Sequence, residues 1–456
     1  MNGKGTLVVP VTLFTAFVAA LFVGMGLIIS IGMNESGAAD VYMEATRPDF
    51  QRIPIGILGF KDTSVSASVT ERPGNKLADV LKADLRRSLV FSVADVGALG
   101  IKLDGLNGTE TEASKALLRE VTEQGISVLV WGTMVPSGSD LLLKGQVYDG
   151  NSDAIVDEKE YVGGRQVLRL MAHRLADELV FKYTGEQGIA RTKIAFVSEQ
   201  DGGRELYVMD YDGYAPRQVT ADGFLNLMPR WSPDRRYLVF TAFRSRGKQD
   251  IHLVELATGK RWTLVSQPGL NITPAVSPDG NFLAYASSQE GNAELYKMDT
   301  RTKAVQRLTF HAAGDLSPAW SPTGQEIAFT SDRGGGPQIY LMSADGSNIR
   351  RLTYEGDYNA APAWSPRANW IAYVCRTVER QYKLCMISPD GEKRQQITNG
   401  PGVDDSPSWS PDGRHLAFSS NRDGKSHIYM INSDGTELER LTSGGAHHSS
   451  PAWSPW

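Results

Sequence analysis

Pro318-Ala319-Trp320-Ser321-Pro322-Thr323-Gly324 returns five more times along the chain with small changes. The other copies are Pro229-Arg230-Trp231-Ser232-Pro233-Asp234, Pro274-Ala275-Val276-Ser277-Pro278-Asp279-Gly280, Pro362-Ala363-Trp364-Ser365-Pro366, Pro407-Ser408-Trp409-Ser410-Pro411-Asp412-Gly413 and Pro451-Ala452-Trp453-Ser454-Pro455. Taken at the Trp, or at the Val276 that replaces it, the steps are 45, 44, 44, 45 and 44 residues. A period of about 40–50 residues is that of one four-stranded sheet repeated around an axis. The spacing therefore predicts a six-bladed β-propeller.

Each period reads as four short strands. In the third, Ile327-Ala328-Phe329-Thr330 alternates after the turn, and Gly-rich Asp332–Gly336 follows as a loop. Then come Gln338–Met342, the turn Ala344-Asp345-Gly346 and a last short run, Arg351-Leu352-Thr353. Period-two alternation between Gly and Asp clusters is the hairpin signal, and Asp-Gly is a favoured tight turn. Tyr237–Phe240, Phe282–Tyr285, Trp370–Tyr373 and His415–Phe418 repeat the pattern. One aromatic per sheet at a fixed place is expected to wedge between neighbouring sheets. Because Lys193–Val197 through Arg217–Thr220 supplies three strands before the first anchor, the final Pro-Ala-Trp-Ser strand is expected to complete that sheet and close the ring.

Upstream, the rhythm changes. Ile53–Leu58 and Ser127–Trp131 read as buried strands and Leu141–Tyr148 as an alternating one, whereas Lys76–Leu85, Thr111–Gln124 and Gln166–Phe181 carry apolar residues at helical spacing. Interleaved strands and helices predict a small α/β sandwich with a mixed sheet over residues 52–185, joined by the aperiodic stretch Lys182–Arg191 to the propeller at 186–456. A chain of 456 residues has room for both cores.

The first residues address the chain to another compartment. Gly5 to Asn34 holds no charge, and Leu7–Ile31 is almost wholly apolar. Its length suits a spanning helix, whereas Ser36-Gly37-Ala38-Ala39 offers small residues where a signal peptidase would cut before Asp40. Residues 1–39 are read as a signal peptide or signal anchor, and 40–51 as a flexible segment. Either way the folded part lies outside the cytoplasm. There, an oxidising compartment allows Cys375 and Cys385 to form a disulfide; two small buried hydrophobes are the other reading.

Charge and motifs exclude several functions. The 47 basic and 52 acidic residues leave −5, without a long run of one sign, so the footprint of a nucleic-acid binder is missing. No Gly-x-Ser-x-Gly elbow occurs. None of the seven histidines stands in a His-Glu-x-x-His pattern, and Asp210-Tyr211-Asp212-Gly213 lacks the Glu of a calcium loop, so it reads as a turn and no metal site or cofactor is expected. What remains is surface. Antiparallel strands bring the start of each anchor strand and the end of the next strand to one end of the ring. That end collects one polar residue three positions before each anchor Pro, namely Asn226, Asn271, Asp315, Asn359, Asp404 and His448, and loops bearing Arg244, Arg333, Arg376 and Arg422. These ten are the candidate partner-binding residues of a channel mouth.

With an export signal, an α/β domain, the junction Tyr183-Thr184-Gly185-Glu186-Gln187-Gly188-Ile189 leading into Arg191–Val197, and six Pro-Ala-Trp-Ser-Pro-Asp-Gly blades, the chain resembles the TolB family over nearly its whole length. The resemblance implies a monomeric, non-enzymatic, periplasmic scaffold of the Tol-Pal system that supports outer-membrane integrity and invagination at cell division. It implies two partners: the peptidoglycan-associated lipoprotein Pal, bound by the propeller, and TolA, bound by the released N-terminal segment. Here that segment is Asp40-Val41-Tyr42-Met43-Glu44, which is free only if the long apolar stretch is removed. No small-molecule substrate is expected. The competing readings are a metal-dependent propeller hydrolase or lactonase, which needs carboxylates and histidines converging in the channel, and an envelope sugar-binding propeller.

Overall fold

The structure, a computed structural model, describes residues 51–63, 73–97, 106, 112–200, 202–244 and 248–456. The apolar segment, the cleavage position and Asp40–Glu44 lie outside those residues. Among the described residues no helix is long and apolar enough to cross a membrane.

The first domain is a five-stranded sheet in the order β2-β1-β3-β4-β5, where β1 is Ile53–Asp62, β2 Phe91–Ala94, β3 Val128–Ser137, β4 Asp140–Asp149 and β5 Ala154–Gly163. β1 pairs in parallel with β2 and β3, and the β3-β4-β5 part is antiparallel, so the sheet is mixed. Alternation on β3 supplies two cores. Val128, Val130 and Met134 face α1 (Pro73–Arg87) and α3 (Leu168–Thr184), while Leu129 and Trp131 pack with Leu118 and Val121 of α2 (Glu112–Thr122). β2 and β5 escape sequence reading for different reasons: β2 is four residues long, and β5 is an edge strand, mostly polar and exposed.

The presumed linker is packed rather than free. α3 ends at Gly185, whose left-handed φ of 71° favours a residue without a Cβ. Beyond it Ile189 and Ala190 are buried, and the Ala190 amide donates to Asp177 Oδ1 (2.8 Å). Gly188 sits so close to Asp177 that an added Cβ would lie 2.3 Å from its carboxylate oxygen.

The remaining strands form one eight-stranded and four four-stranded sheets. The large sheet contains β6 (Lys193–Gln200), β7 (Gly203–Asp210), β8 (Arg217–Gln218), β9 (Leu225–Trp231), β10 (Tyr237–Phe243), β11 (Gln249–Glu255) and β12 (Arg261–Val265), with the last strand of the chain, His447–Trp453. It is two runs of four strands joined by one parallel pair, Arg204 with Leu225. His447–Trp453 pairs antiparallel with β6, so the chain's end sits beside the start of the ring. The other sheets begin at Asn271, Asp315, Asn359 and Asp404, each a strand ending at an anchor Trp or Val.

The anchors wedge between sheets. The indole Nε1 of Trp231 donates to Ala452 O (2.8 Å), that of Trp320 to Ala275 O (3.0 Å) and that of Trp409 to Ala363 O (2.9 Å), each on the inner strand of the preceding repeat. Trp453 Nε1 donates instead to Thr192 Oγ1 (2.8 Å). Val276 has no ring to wedge, and a groove of about 370 Å³ opens there, lined by Tyr237, Val239, Leu253, Leu264 and Leu283 among others.

Every inner strand also carries a feature that alternation does not reveal. The residue before each anchor Pro has a left-handed backbone: φ is 55° at Met228, 51° at Thr273, 52° at Ser317, 52° at Ala361, 56° at Ser406 and 51° at Ser450. The ladder shifts register there in all six strands. This is a β-bulge, which puts two residues opposite one. Its consequence is directional. Trp231 pairs with Leu238 and Asn226 with Ala242, and residues four apart on β10 share a side, so Trp231 and Asn226 share one too.

Candidate functional site

The bulge decides where the six polar residues go. Plain alternation would set Asn226 and Trp231, five apart, on opposite sides; the extra residue sends both toward the preceding repeat. Accordingly Asn226, Asn271, Asp315, Asn359 and Asp404 are 0% exposed and His448 only 8%, so none forms an open channel mouth. Each bonds inward. Asn226 Nδ2 donates to Glu205 Oε2 (3.0 Å), Asn359 Nδ2 to Gln338 Oε1 (2.9 Å), and Lys383 Nζ to Asp404 Oδ2 (3.3 Å). Asn271 Nδ2 donates to the Gln249 and Gln267 carbonyls, and His448 Nδ1 faces His427 Nδ1 at 3.3 Å. Thr309 and Thr353 bridge back to Glu294 and Gln338. These side chains staple one repeat to the next, and burial raises the Asp315 carboxyl above its usual range.

The arginines divide. Arg333 donates to Asp315 Oδ2 (2.7 Å) and Arg422 to Asp404 Oδ1 (2.8 Å), so two of the expected contact sets satisfy each other. Both guanidinium groups also lie over aromatic rings, Phe329 and Tyr340 in one repeat and Phe418 and Tyr429 in the other. Arg376 forms a forked pair with Asp357, and Arg244 stands 4.0 Å from Asp222 and over Phe224. All four are partly accessible, but as braced positions rather than free ligands.

The α/β domain occupies the other end of the ring. Its α1 reaches the end of the ring where third strands lead into fourth strands: Arg87 pairs with Glu439, the first residue of a fourth strand, at 2.6 Å, and Tyr211, in the turn after β7, donates to Asp84. Glu186 accepts from Arg367 (2.8 Å) and Arg414 (2.5 Å) beside the anchor turns. Hence the end carrying the Arg333 and Arg422 loops faces away from the α/β domain. Loops there expose Phe310 and Tyr354, both 72%, and Val378, 98%. Arg307 lies 4.6 Å from the Phe310 ring centre and Arg351 4.9 Å from that of Tyr354. Aromatic and Arg side chains braced in this way are the usual anchors of protein interfaces. Sequence reading missed them because Phe310 and Tyr354 follow the short fourth strands, outside the anchor motif. Their spacing of 44 residues was the available signal.

Around the axis, the residues before the six anchors are Arg230, Ala275, Ala319, Ala363, Ser408 and Ala452. They line a cavity of about 420 Å³ with the anchor Trp and Pro residues. Arg230 is exposed in that cavity and has no carboxylate partner among the described residues. At the junction with the α/β domain, the Asp84 carboxylate accepts from Tyr211 Oη (2.6 Å) and His173 Nδ1 (2.7 Å). All three are buried, and burial beside that carboxylate drives the Tyr211 hydroxyl far above its usual range. One apolar cluster runs from Leu81 and Leu175 through Tyr211 to Trp453, so the two domains share a core. Cys375 and Cys385 form a disulfide with Cα atoms 5.8 Å apart.

A closed ring of antiparallel sheets, polar staples between repeats, and a small α/β domain packed on one end define a two-domain β-propeller protein. The chain belongs to the TolB family: the TolB amino-terminal domain matches residues 41–155, and the TolB beta propeller domain matches residues 180–390 and 361–456. The Tol-Pal system protein TolB of Desulfosudis oleivorans is 32% identical over 269 residues, 59% of this chain and 60% of that protein. The protein TolB homolog of Chlorobium chlorochromatii is 36% identical over 218 residues, 48% of each chain. The chain thus spans about 60% or less of the length of these curated relatives. Among solved structures, TolB from Acinetobacter baumannii superposes with a TM-score of 0.75 at 26% identity, covering 89% of this chain and 97% of that one.

Proposed function

We propose that this chain is a non-enzymatic periplasmic scaffold of the Tol-Pal system. The observation that carries the reading is the superposition on TolB from Acinetobacter baumannii, which extends through both domains instead of the widespread propeller alone. In this account the eight-stranded sheet counts as two blades, since a single residue pair joins its halves, and the ring has six. Residues 1–39 direct export, 40–51 form a flexible segment, 52–185 the α/β domain and 186–456 the propeller of a monomer.

The lipoprotein Pal binds the free end of the propeller, where Phe310, Tyr354 and Val378 are exposed and the braced Arg376 lies two positions before Val378. TolA binds Asp40–Glu44 once cleavage frees it. The chain thereby supports outer-membrane integrity and its invagination during division. Affinity capture from envelope extract with the exported chain tests this, together with its intact mass. Recovery of Pal and TolA with a chain beginning at Asp40 is expected. A chain that retains Met1, or capture of neither protein, would overturn it.

A further inference from the structure

The turn Asp210-Tyr211-Asp212-Gly213 does more than reverse the chain. Tyr211 points into the junction with the α/β domain, while the acids on either side of it meet His173 of α3. One side-chain ligand atom from each of His173, Asp210 and Asp212 lies within 4.8 Å of the other two. His173 is 3% exposed and its Nδ1 is already spent on Asp84 at 2.7 Å. Its Nε2 is buried with no hydrogen-bond partner. A solvent-free imidazole nitrogen without a partner is costly unless something fills the gap. With Nδ1 engaged by Asp84, Nε2 is the ring nitrogen still open to a ligand.

We propose that His173 Nε2, Asp210 and Asp212 bind one divalent transition-metal ion that clamps the α/β domain to the propeller. The donor set, one imidazole with two carboxylates, suits Zn²⁺ and its neighbours. An ion centred among three atoms no more than 4.8 Å apart stands at most about 2.8 Å from each, so shifts of about 0.7 Å or less reach zinc distances of ~2.0–2.2 Å. Asp84 completes the arrangement from behind: a carboxylate on Nδ1 fixes the tautomer and turns the Nε2 lone pair outward, as metal-bound histidines require. Arg169 pairs with Asp212, and Lys193 with Asp210 Oδ1 at 2.6 Å. These two cations balance two of the three carboxylates, counting Asp84, so one negative charge remains to attract the ion. Because His173 belongs to one domain and the acids to the other, occupancy would resist their separation.

The test is calorimetric titration of the full exported chain with ZnCl₂ at pH 7.5 after chelator treatment, with melting curves alongside. One equivalent should bind and raise the melting temperature. His173→Gln and Asp212→Asn should each weaken binding at least about tenfold, and Asp84→Asn by about 10–100-fold. Asp212 lies in a surface turn, so its variant keeps the proposal testable should His173→Gln fold poorly. Absence of binding, with melting that responds only to acid, would assign the nitrogen to a proton and overturn the site. So would binding that survives all three substitutions and disappears in His447→Gln.

Discussion

Replacing His448 by Asn should remove a specific sensitivity to acid. His448 lies on the closing strand with its Nδ1 3.3 Å from His427 Nδ1, an arrangement that holds only while at least one ring is neutral. Burial, followed by His427 and Arg440, lowers His448 from the usual 6.5 to about 4. Between those values the unfolded chain takes up a proton that the native chain refuses, so stability falls as pH falls. The slope is about 1.4 kcal/mol per pH unit for one such group. By pH 5 the loss is about 2 kcal/mol, and it grows further until the native ring titrates too. Above pH 7 the group contributes no pH dependence. Asn stands at the same place in other repeats, at Asn226 and Asn359, so the substitution respects local space. Urea unfolding at pH 7 and pH 5 measures the effect. The wild type should lose about 2 kcal/mol more than His448→Asn over that interval. Equal losses in the two proteins would refute the assignment of a buried neutral imidazole to the closing strand.

Other consequences follow from the same geometry. Val276→Trp should fill the groove of about 370 Å³ and raise stability by about 1–2 kcal/mol; a lowered melting temperature would mean that the groove is not the space of a missing anchor ring. Trp453→Ala should cost about 3–5 kcal/mol, and truncation after Ser450 should lower the melting temperature of the whole ring; an unchanged melt in the truncated chain would contradict closure through His447–Trp453. Tyr211→Phe removes one of two donors to the buried Asp84 carboxylate, a loss of about 1.5–3 kcal/mol. That loss should appear as easier separation of the two domains in hydrogen exchange at α1; exchange unchanged from wild type would remove Asp84 from the junction.

The repeat made the propeller legible because Trp-Ser-Pro fixes the end of each inner strand and Asp-Gly the turns. The α/β domain was legible where periodicity is strong, in β1, β3, β4 and the three helices, and not in β2, which is four residues long, or β5, whose polar edge follows no simple period. The polar residues failed for one reason. Nothing in Met228, Thr273, Ser317, Ala361, Ser406 and Ser450, six positions of four residue types, announces a left-handed backbone, and the bulge there turns Asn226 and its counterparts from the mouth into the space between sheets. A residue preceding Pro is ordinarily extended, which concealed it further. Asp84, His173, Asp210 and Asp212 were equally hidden, since 37 residues separate His173 from Asp210 and only docking of the domains joins them.

Titration of the exported chain with the soluble domain of its own organism's Pal tests the central claim most directly. The account predicts a one-to-one complex, weakened at least about tenfold by Phe310→Ala with Tyr354→Ala at unchanged melting temperature. No measurable heat or complex with a folded chain, or binding indifferent to those two aromatics, would contradict it.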